Sequence, residues 1–315
     1  MAEAEADLKA PPESGKSRAT DEPRLIERSC PLCRVSDFEK FLIADDTTFG
    51  FPGRFRVVRC RRCDMLFTNP QVAPESIGAF FPNEYSAHDV DRARRHSGSV
   101  KRGSDPWDAL APFGGGRLLD VGCGSGAFLL RQQEMGWRVY GIEPSAAAAD
   151  AARSLGLRDI WTSDVANAPM NGHRFDVITL MGVLDHIPDP HTALSSLRGV
   201  CDNGGRLIAT VPNAMSAAAQ LFGPDWPGWD LPRHQNHFSP DTLRAMLRKA
   251  GFDRVDLLWK RRTSHWRRGA EAMVRRSAHP IWRIIAKSRN LCGLLARIHS
   301  RGARSDELIA VAYCD

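Results

Sequence analysis

Residues Leu118 to Phe128 read Leu-Leu-Asp-Val-Gly-Cys-Gly-Ser-Gly-Ala-Phe. An apolar strand runs into a turn with three glycines, and the turn opens directly into a helix. Such a turn needs backbone freedom that only glycine supplies cheaply, and a strand feeding a helix belongs to a parallel crossover unit. The sequence that follows repeats the theme. Short apolar runs at 117–121, 138–142, 175–181 and 206–211 alternate with helical stretches at about 126–136, 145–155 and 190–201. This alternation predicts a parallel sheet covered on both faces. Further on, Ser239 can cap a helix that has Pro240 at its first position. Phe252 to Trp259 then reads as a strand, and Glu307 to Ala312 as a last one.

The carboxylates around the glycine turn narrow its ligand. Gly122, Gly124 and Ala127 taken alone also fit a dinucleotide-binding pattern. Asp120, two residues before Gly122, would repel a pyrophosphate but welcome an ammonium or a sulfonium. Glu143 ends the second strand, 23 residues after Asp120, where a carboxylate can accept both hydroxyls of a ribose. Asp164, near the end of the expected third strand, can accept from an adenine amino group.

These residues carry a family resemblance. Leu119 to Gly126, Gly141 to Pro144, Ser163-Asp164, Phe175 to Ile178 followed by Val183 to Pro190, and Gly204 to Leu207 fall in order over about 200 residues. The chain resembles the class I S-adenosylmethionine-dependent methyltransferases. The resemblance implies an α/β fold: a Rossmann-like seven-stranded, mostly parallel sheet with helices on both faces and an antiparallel last strand. It also implies S-adenosylmethionine as cofactor, held by Asp120, Gly122, Gly124, Glu143, Asp164 and the backbone near Met181. Cys123, Gly126 and Val165, in the same motifs, complete the cofactor-binding set the resemblance implies.

Eight Cys need an explanation. The acidic start of the chain has no apolar core behind it and is not a secretory signal, so disulfides are not expected. Cys30-Pro-Leu-Cys33 and Cys60-Arg-Arg-Cys63 are paired knuckles with 26 residues between them, the spacing of a four-thiolate metal site. A closed set of four ligands points to structural zinc, with iron as the competing metal. The segment resembles the small zinc-binding module ahead of some sugar and small-molecule methyltransferases, with Thr68-Asn-Pro70 and Pro82 to Tyr85 in the matching places. For Cys123, Cys201, Cys292 and Cys314, packing is the expected role. The expected organisation is a polar leader at 1–24, the zinc-binding module at 25–85, a linker at 86–113 and the methyltransferase domain at 114–315.

Methyl transfer to a hydroxyl requires a group that removes its proton. His186, just after the fourth strand, and His237 are the leading candidates, with His234 and Tyr85 behind them. Asp185 and His186 are neighbours whose side chains are expected to point apart. Trp226 and Trp229 are read either as a wall for a substrate or as a cap on the core.

Between Arg254 and Arg304 stand 14 Lys and Arg against 2 Asp and Glu, a net of +12, so the rest of a chain of net +6 carries −6. The segment at about 260–304 is read as a basic helical insertion, either merely solvated or in contact with an anionic membrane surface; RNA is the less favoured partner. No apolar run is long enough to span a membrane, so the expected location is cytoplasmic, peripheral on the membrane if the basic segment docks. The leading functional expectation is O- or N-methylation of a small molecule or glycan, lipid-linked acceptors included. An RNA methyltransferase and a non-catalytic cofactor-binding regulator are the alternatives. The place after the fourth strand reads Met181-Gly-Val-Leu184 rather than Asn-Pro-Pro-Tyr, which disfavours base methylation.

Overall fold

The structure, a computed structural model, describes residues 23–82, 115–277 and 279–314. Residues 1–22 of the expected leader, the expected linker at 86–113 and the candidate Tyr85 lie outside the described residues.

The chain opens with β1 (Leu25–Ile26), β2 (Phe38–Asp45), β3 (Arg54–Cys60), β4 (Leu66–Thr68), β5 (Gln71–Val72) and the short α1 (Pro74–Ile77). The crossover units follow: β6 (Arg117–Val121), α2 (Ala127–Glu134), β7 (Arg138–Ile142), α3 (Ala146–Ser154), β8 (Ile160–Trp161), β9 (Phe175–Met181), α4 (Pro190–Val200) and β10 (Cys201–Pro212). After them come α5 (Ala217–Phe222), β11 (Asn236–His237), α6 (Pro240–Lys249), β12 (Val255–Lys260), α7 (Thr263–Arg276), α8 (Pro280–Lys287), α9 (Arg289–His299) and β13 (Glu307–Cys314).

The main sheet has seven strands in the order β12-β13-β10-β9-β6-β7-β8. As expected, β13 runs antiparallel, between β10 and β12, while β6 pairs in parallel with β7 and β9. Neighbouring residues on one strand point to opposite faces. Leu119, Ile178 and Leu207 therefore meet α4 and α6 in one apolar cluster, and Leu118, Val177 and Ile208 meet α2 and α3 in another. Both faces are covered, which is why these strands read as continuous apolar runs. The helices begin where the sequence caps them: Asp189 accepts from Thr192 N before Pro190, and Ser239 forms a capping box with Thr242.

A second, antiparallel sheet has the order β11-β4-β3-β2. Its fourth strand is Asn236–His237, which pairs with Phe67 and Leu66 from far across the chain. The cysteine-bearing sheet is thus completed by a strand from the body that carries the main sheet. Its residues Val58, Met65 and Phe67 share a core cluster with Leu184 and Phe238. Trp226 and Trp229 are buried and pack in a further cluster with Phe55, Trp266 and Ile285, so of the two readings they take the core cap. The basic segment is helical, as expected, and the inner faces of α7, α8 and α9 join that cluster through Trp266, Ile285 and Cys292.

One expectation is corrected. Cys201 and Cys314 form a disulfide, with Cα atoms 6.3 Å apart. Cys201 opens β10, and Cys314 sits opposite Gly205 near the same end of that strand. The antiparallel return of β13 thus brings together two thiols separated by 113 residues, a proximity that sequence distance hides. No helix of the described residues is long and apolar enough to cross a membrane.

Candidate functional site

The glycine turn is braced from beneath. Gly122 N and Cys123 N both donate to the carbonyl of Ile142, at 2.7 and 3.1 Å. Gly122, Gly124 and Gly126 take φ of 69°, 55° and 82°. A Cβ at Gly122 would lie 2.6 Å from Val183 Cγ2, and one at Gly126 would lie 2.4 Å from Leu157 Cδ1. The first closeness sets the turn against the end of β9; the second lets α2 lie on α3.

Two buried carboxylates converge on this turn. Glu143 accepts from Gly124 N at 2.9 Å and from Ser145 N at 2.8 Å, one bond to each oxygen. Asp120 accepts from the Thr179 hydroxyl at 2.6 Å. Burial, and then the neighbouring charge of Glu143, push the Asp120 carboxyl up to about 7 against the pull of the Thr179 hydrogen bond. A cation beside it would restore its ionised form. A backbone cradle with no room for side chains, flanked by two carboxylates, fits a nucleoside that carries an ammonium and a sulfonium. Asp164, exposed three residues after β8, accepts from Asn167 N at 2.9 Å, and Val165 is buried behind it. Cys123 is also buried, and Met181 is partly exposed at the end of β9.

Beyond β9 the histidines gather. His234 Nδ1 lies 3.0 Å from the carbonyl of Gly228, and its Nε2 lies 3.0 Å from Asp185 Oδ2 and 3.8 Å from Asp230 Oδ2. Burial opposes a charge on this ring, but Asp185 and then Asp230 outweigh it and raise the imidazole to about 9. His234 is therefore an imidazolium at neutral pH. In turn, the His234 charge followed by His186 holds the Asp185 carboxyl below its ordinary range, against the upward push of burial.

His186 lies edge-on to His234, with ring centroids 4.5 Å apart. Its Nδ1 is 3.1 Å from the carbonyl oxygen of Arg233. A carbonyl only accepts, so Nδ1 carries the proton and Nε2 the lone pair of the neutral ring. Burial and then the His234 charge keep the His186 pKa below the ordinary imidazole value. The ring of Phe81 packs 5.6 Å away. His237 is elsewhere: it sits in β11 with Nε2 3.1 Å from the Thr68 hydroxyl and its ring against Trp229, and burial keeps it neutral.

The sequence pointed to the histidines but not to what fixes them. Arg233 is fully buried and reaches both oxygens of Asp46 at 2.7 and 3.0 Å, both oxygens of Asp230, and the carbonyl of Phe80. One guanidinium thus ties the loop that carries His234 to the N-terminal sheet. Asp230 and His234 are four apart and could have been paired on spacing; Asp46 left no sequence signal.

The two cysteine knuckles are built alike. In the first, Cys30 N donates to Val35 O, Arg34 N donates to Cys30 O, and Arg34 has φ of 64°. In the second, Cys60 N donates to Met65 O, Asp64 N donates to Cys60 O, and Asp64 has φ of 59°. Sulfur pairs Cys30–Cys63 and Cys33–Cys60 are 3.5 and 3.4 Å apart. Thiolates at about 2.3 Å from one zinc ion would be about 3.8 Å apart. Asp185, His186 and His234 form the other group among the described residues with ligand atoms within 4.8 Å of one another.

Fold and glycine–carboxylate turn together define a Rossmann-like nucleoside-binding domain. The sequence profile of a methyltransferase domain matches residues 92–257, just over half of the chain. The chain belongs to the family of S-adenosylmethionine-dependent methyltransferases. It is 33% identical over 159 residues to the ubiquinone biosynthesis O-methyltransferase of Cereibacter sphaeroides, covering 47% of this chain and 64% of that one. The enzyme of the same name from Ruegeria sp. is 32% identical over 169 residues, with coverage of 48% and 68%. The chain thus spans just under two thirds of the first relative's length. A chain in the complex of the Haloferax volcanii Trm112 methyltransferase activator with a methyltransferase superposes with a TM-score of 0.50 at 17% identity, covering 74% of this chain and 95% of that one. At that identity the likeness is one of fold.

Proposed function

We propose that the protein transfers the methyl group of S-adenosylmethionine to a hydroxyl oxygen of a small-molecule or glycan acceptor, lipid-linked acceptors included. The observation that carries this reading is the His186 ring held neutral with Nδ1 as donor to the Arg233 carbonyl, which puts the ring's lone pair on Nε2. The names of the relatives, ubiquinone biosynthesis O-methyltransferases, support oxygen as the methylated atom.

In this reading the cofactor, when bound, supplies an electrophilic methyl on a sulfonium. Asp120 takes the cationic methionine end, Glu143 the ribose hydroxyls and Asp164 the adenine amino group, while Gly122 and Gly124 give the close backbone approach. His186 Nε2 takes the acceptor's proton. His234 stays protonated between Asp185 and Asp230 and keeps His186 neutral before the proton arrives. Phe81 shields one side of the base from water.

We infer in addition a structural zinc ion on Cys30, Cys33, Cys60 and Cys63, supported by the matching knuckles. All four positions of a tetrahedral ion are filled by sulfur, so it takes no part in the chemistry. Residues 25–82 then act as a metal-stapled platform under the His234 loop.

The test is transfer of labelled methyl from S-adenosylmethionine into a panel of phenolic, polyprenyl-phenolic and glycan acceptors. His186→Gln should lower kcat by a hundredfold or more, the lower range of a lost general base, with cofactor affinity retained. Label that appears only in RNA, or a fully active H186Q variant, overturns the reading.

A further inference from the structure

We propose that the outer face of α8 and α9 is a docking surface for an anionic phospholipid bilayer. These two helices, joined at Ser288, bury only one side. Trp282, Ile285 and Ala286 of α8, and Leu291, Cys292 and Ala296 of α9, face the core. The opposite sides are not polar. Ile281 is 41% exposed, Ile284 58%, Leu294 50% and Ile298 48%. Four branched aliphatic side chains stand in water over two short consecutive helices, an exposure with no fold-internal purpose.

The charge around the patch has one sign. From Ser277 to Arg304 the chain carries six Lys and Arg and no Asp or Glu. Arg283, Lys287, Arg289 and Arg297 have no ion-pair partner among the described residues. The contrast with α7 is informative: there Arg267 pairs with Glu271, Arg276 with Asp225 and Arg262 with Glu307. The stretch from Lys260 to Arg276 is therefore partly paired within the protein, with Arg261, Arg268 and Arg275 outside any ion pair among the described residues, whereas the stretch after Ser277 has no ion pair there, and the exposed aliphatics belong to the second. A cleft of about 390 Å³ opens there, lined by Thr263, Arg289, Asn290, Gly293, Leu294 and Arg297. Two guanidinium groups and an amide beside a leucine suit a phosphodiester headgroup with its acyl chain alongside.

Cations alone would serve a polyphosphate or an RNA equally. Ile281, Ile284, Leu294 and Ile298 decide for lipid, because a phosphate chain offers nothing to bury them against, whereas the headgroup–acyl boundary does. Neither helix is long enough to span a bilayer, so the contact lies in the interface plane.

The experiment is co-sedimentation of the full-length protein with vesicles of phosphatidylcholine alone or phosphatidylcholine with phosphatidylglycerol, read without any methyl acceptor. Binding is expected to the anionic vesicles only and to weaken with salt. R283Q/R289Q/R297Q should lose about fivefold in affinity for each cation removed, about 125-fold in all. I281S/I284S, with every charge retained, should lose about a thousandfold or more, since about three buried CH₂ equivalents disappear at each of the two sites. Cofactor binding by both variants, measured calorimetrically, should match the parent. Equal binding to neutral vesicles, parental binding by either variant, or retention of poly(U) without vesicle binding overturns the proposal.

Discussion

Replacing His234 with glutamine isolates the charge at the centre of the histidine group. The glutamine amide can approach Asp185 but brings no charge, and Asp185 is left as a carboxylate only 1% exposed. The magnitude follows from the shift. His234 titrates at about 9 in the folded protein against an ordinary 6.5, which corresponds to about 3 kcal/mol of differential interaction. The folded value is raised, so this stabilisation is fully present below the unfolded value of 6.5 and is lost as pH rises through 9. The assay is urea unfolding of parent and H234Q at about pH 6.5 and about pH 10, far enough apart to span the transition. The parent should be more stable by about 3 kcal/mol at the lower pH, and the gap should nearly close at the higher one. The His186 ring proton, followed by NMR, should titrate higher in H234Q, because a neighbouring positive charge is gone. A stability gap of the same size at both pH values, or an unmoved His186, would refute the assignment of His234 as an imidazolium.

Asp120→Asn should weaken S-adenosylmethionine binding by about tenfold to a hundredfold. Because the Asp120 carboxyl titrates at about 7 without a cation, parent affinity should climb as pH rises through that value. Calorimetry of both proteins across that range checks this, with the climb reduced in the variant. Protein purified without chelator should carry close to one zinc per chain by elemental analysis. Its removal should speed amide exchange in β2, β3 and β4 more than in β6 or β9. Denatured, metal-free protein kept from reductant should titrate as six thiols rather than eight, given the single disulfide. Reducing that bond should cost about 4–5 kcal/mol of unfolding free energy on the chain-entropy account for its 113-residue separation, measured by denaturant titration with and without reductant.

What the sequence discloses here follows the range of the interactions concerned. The glycine turn, the strand ends and the knuckles are local: Gly122, Glu143, Cys30 and Cys60 announce themselves through neighbours a few positions away. The helix starts at Pro190 and Pro240 are legible for the same reason. The partnerships across the chain are not. Asp185 and His186 are expected to point apart as chain neighbours, yet both gather around His234, with the ligand atoms of all three within 4.8 Å of one another, because the loop at 230–237 folds back over the turn that follows β9. Arg233 with Asp46 is a pair separated by 187 positions, and neither residue type is expected in a core unless paired. Cys201 with Cys314 is hidden in the same way, and the reversal of β13 alone explains it. His237 shows the converse: it stands beside His186 as a leading sequence candidate for the proton acceptor, yet its place in β11 sets it against Thr68 instead.

If zinc sits on the four cysteines as proposed, the two-residue strand Asn236–His237 gives it a reach beyond its own sheet. This strand is hydrogen-bonded to β4, whose neighbour β3 ends at the ligand Cys60, and it lies two positions after His234. Loss of the ion would therefore be felt at the proton-accepting end of the site before it was felt at the cofactor turn. A preparation stripped of zinc would bind S-adenosylmethionine and methylate poorly, and its fault would look catalytic although the cause lay in the scaffold. The same strand sets a limit on protein engineering. A core trimmed to residues 115–314 would keep the glycine turn with Asp120 and Glu143 but present β11 as a bare edge, inviting another chain to pair where β4 had been.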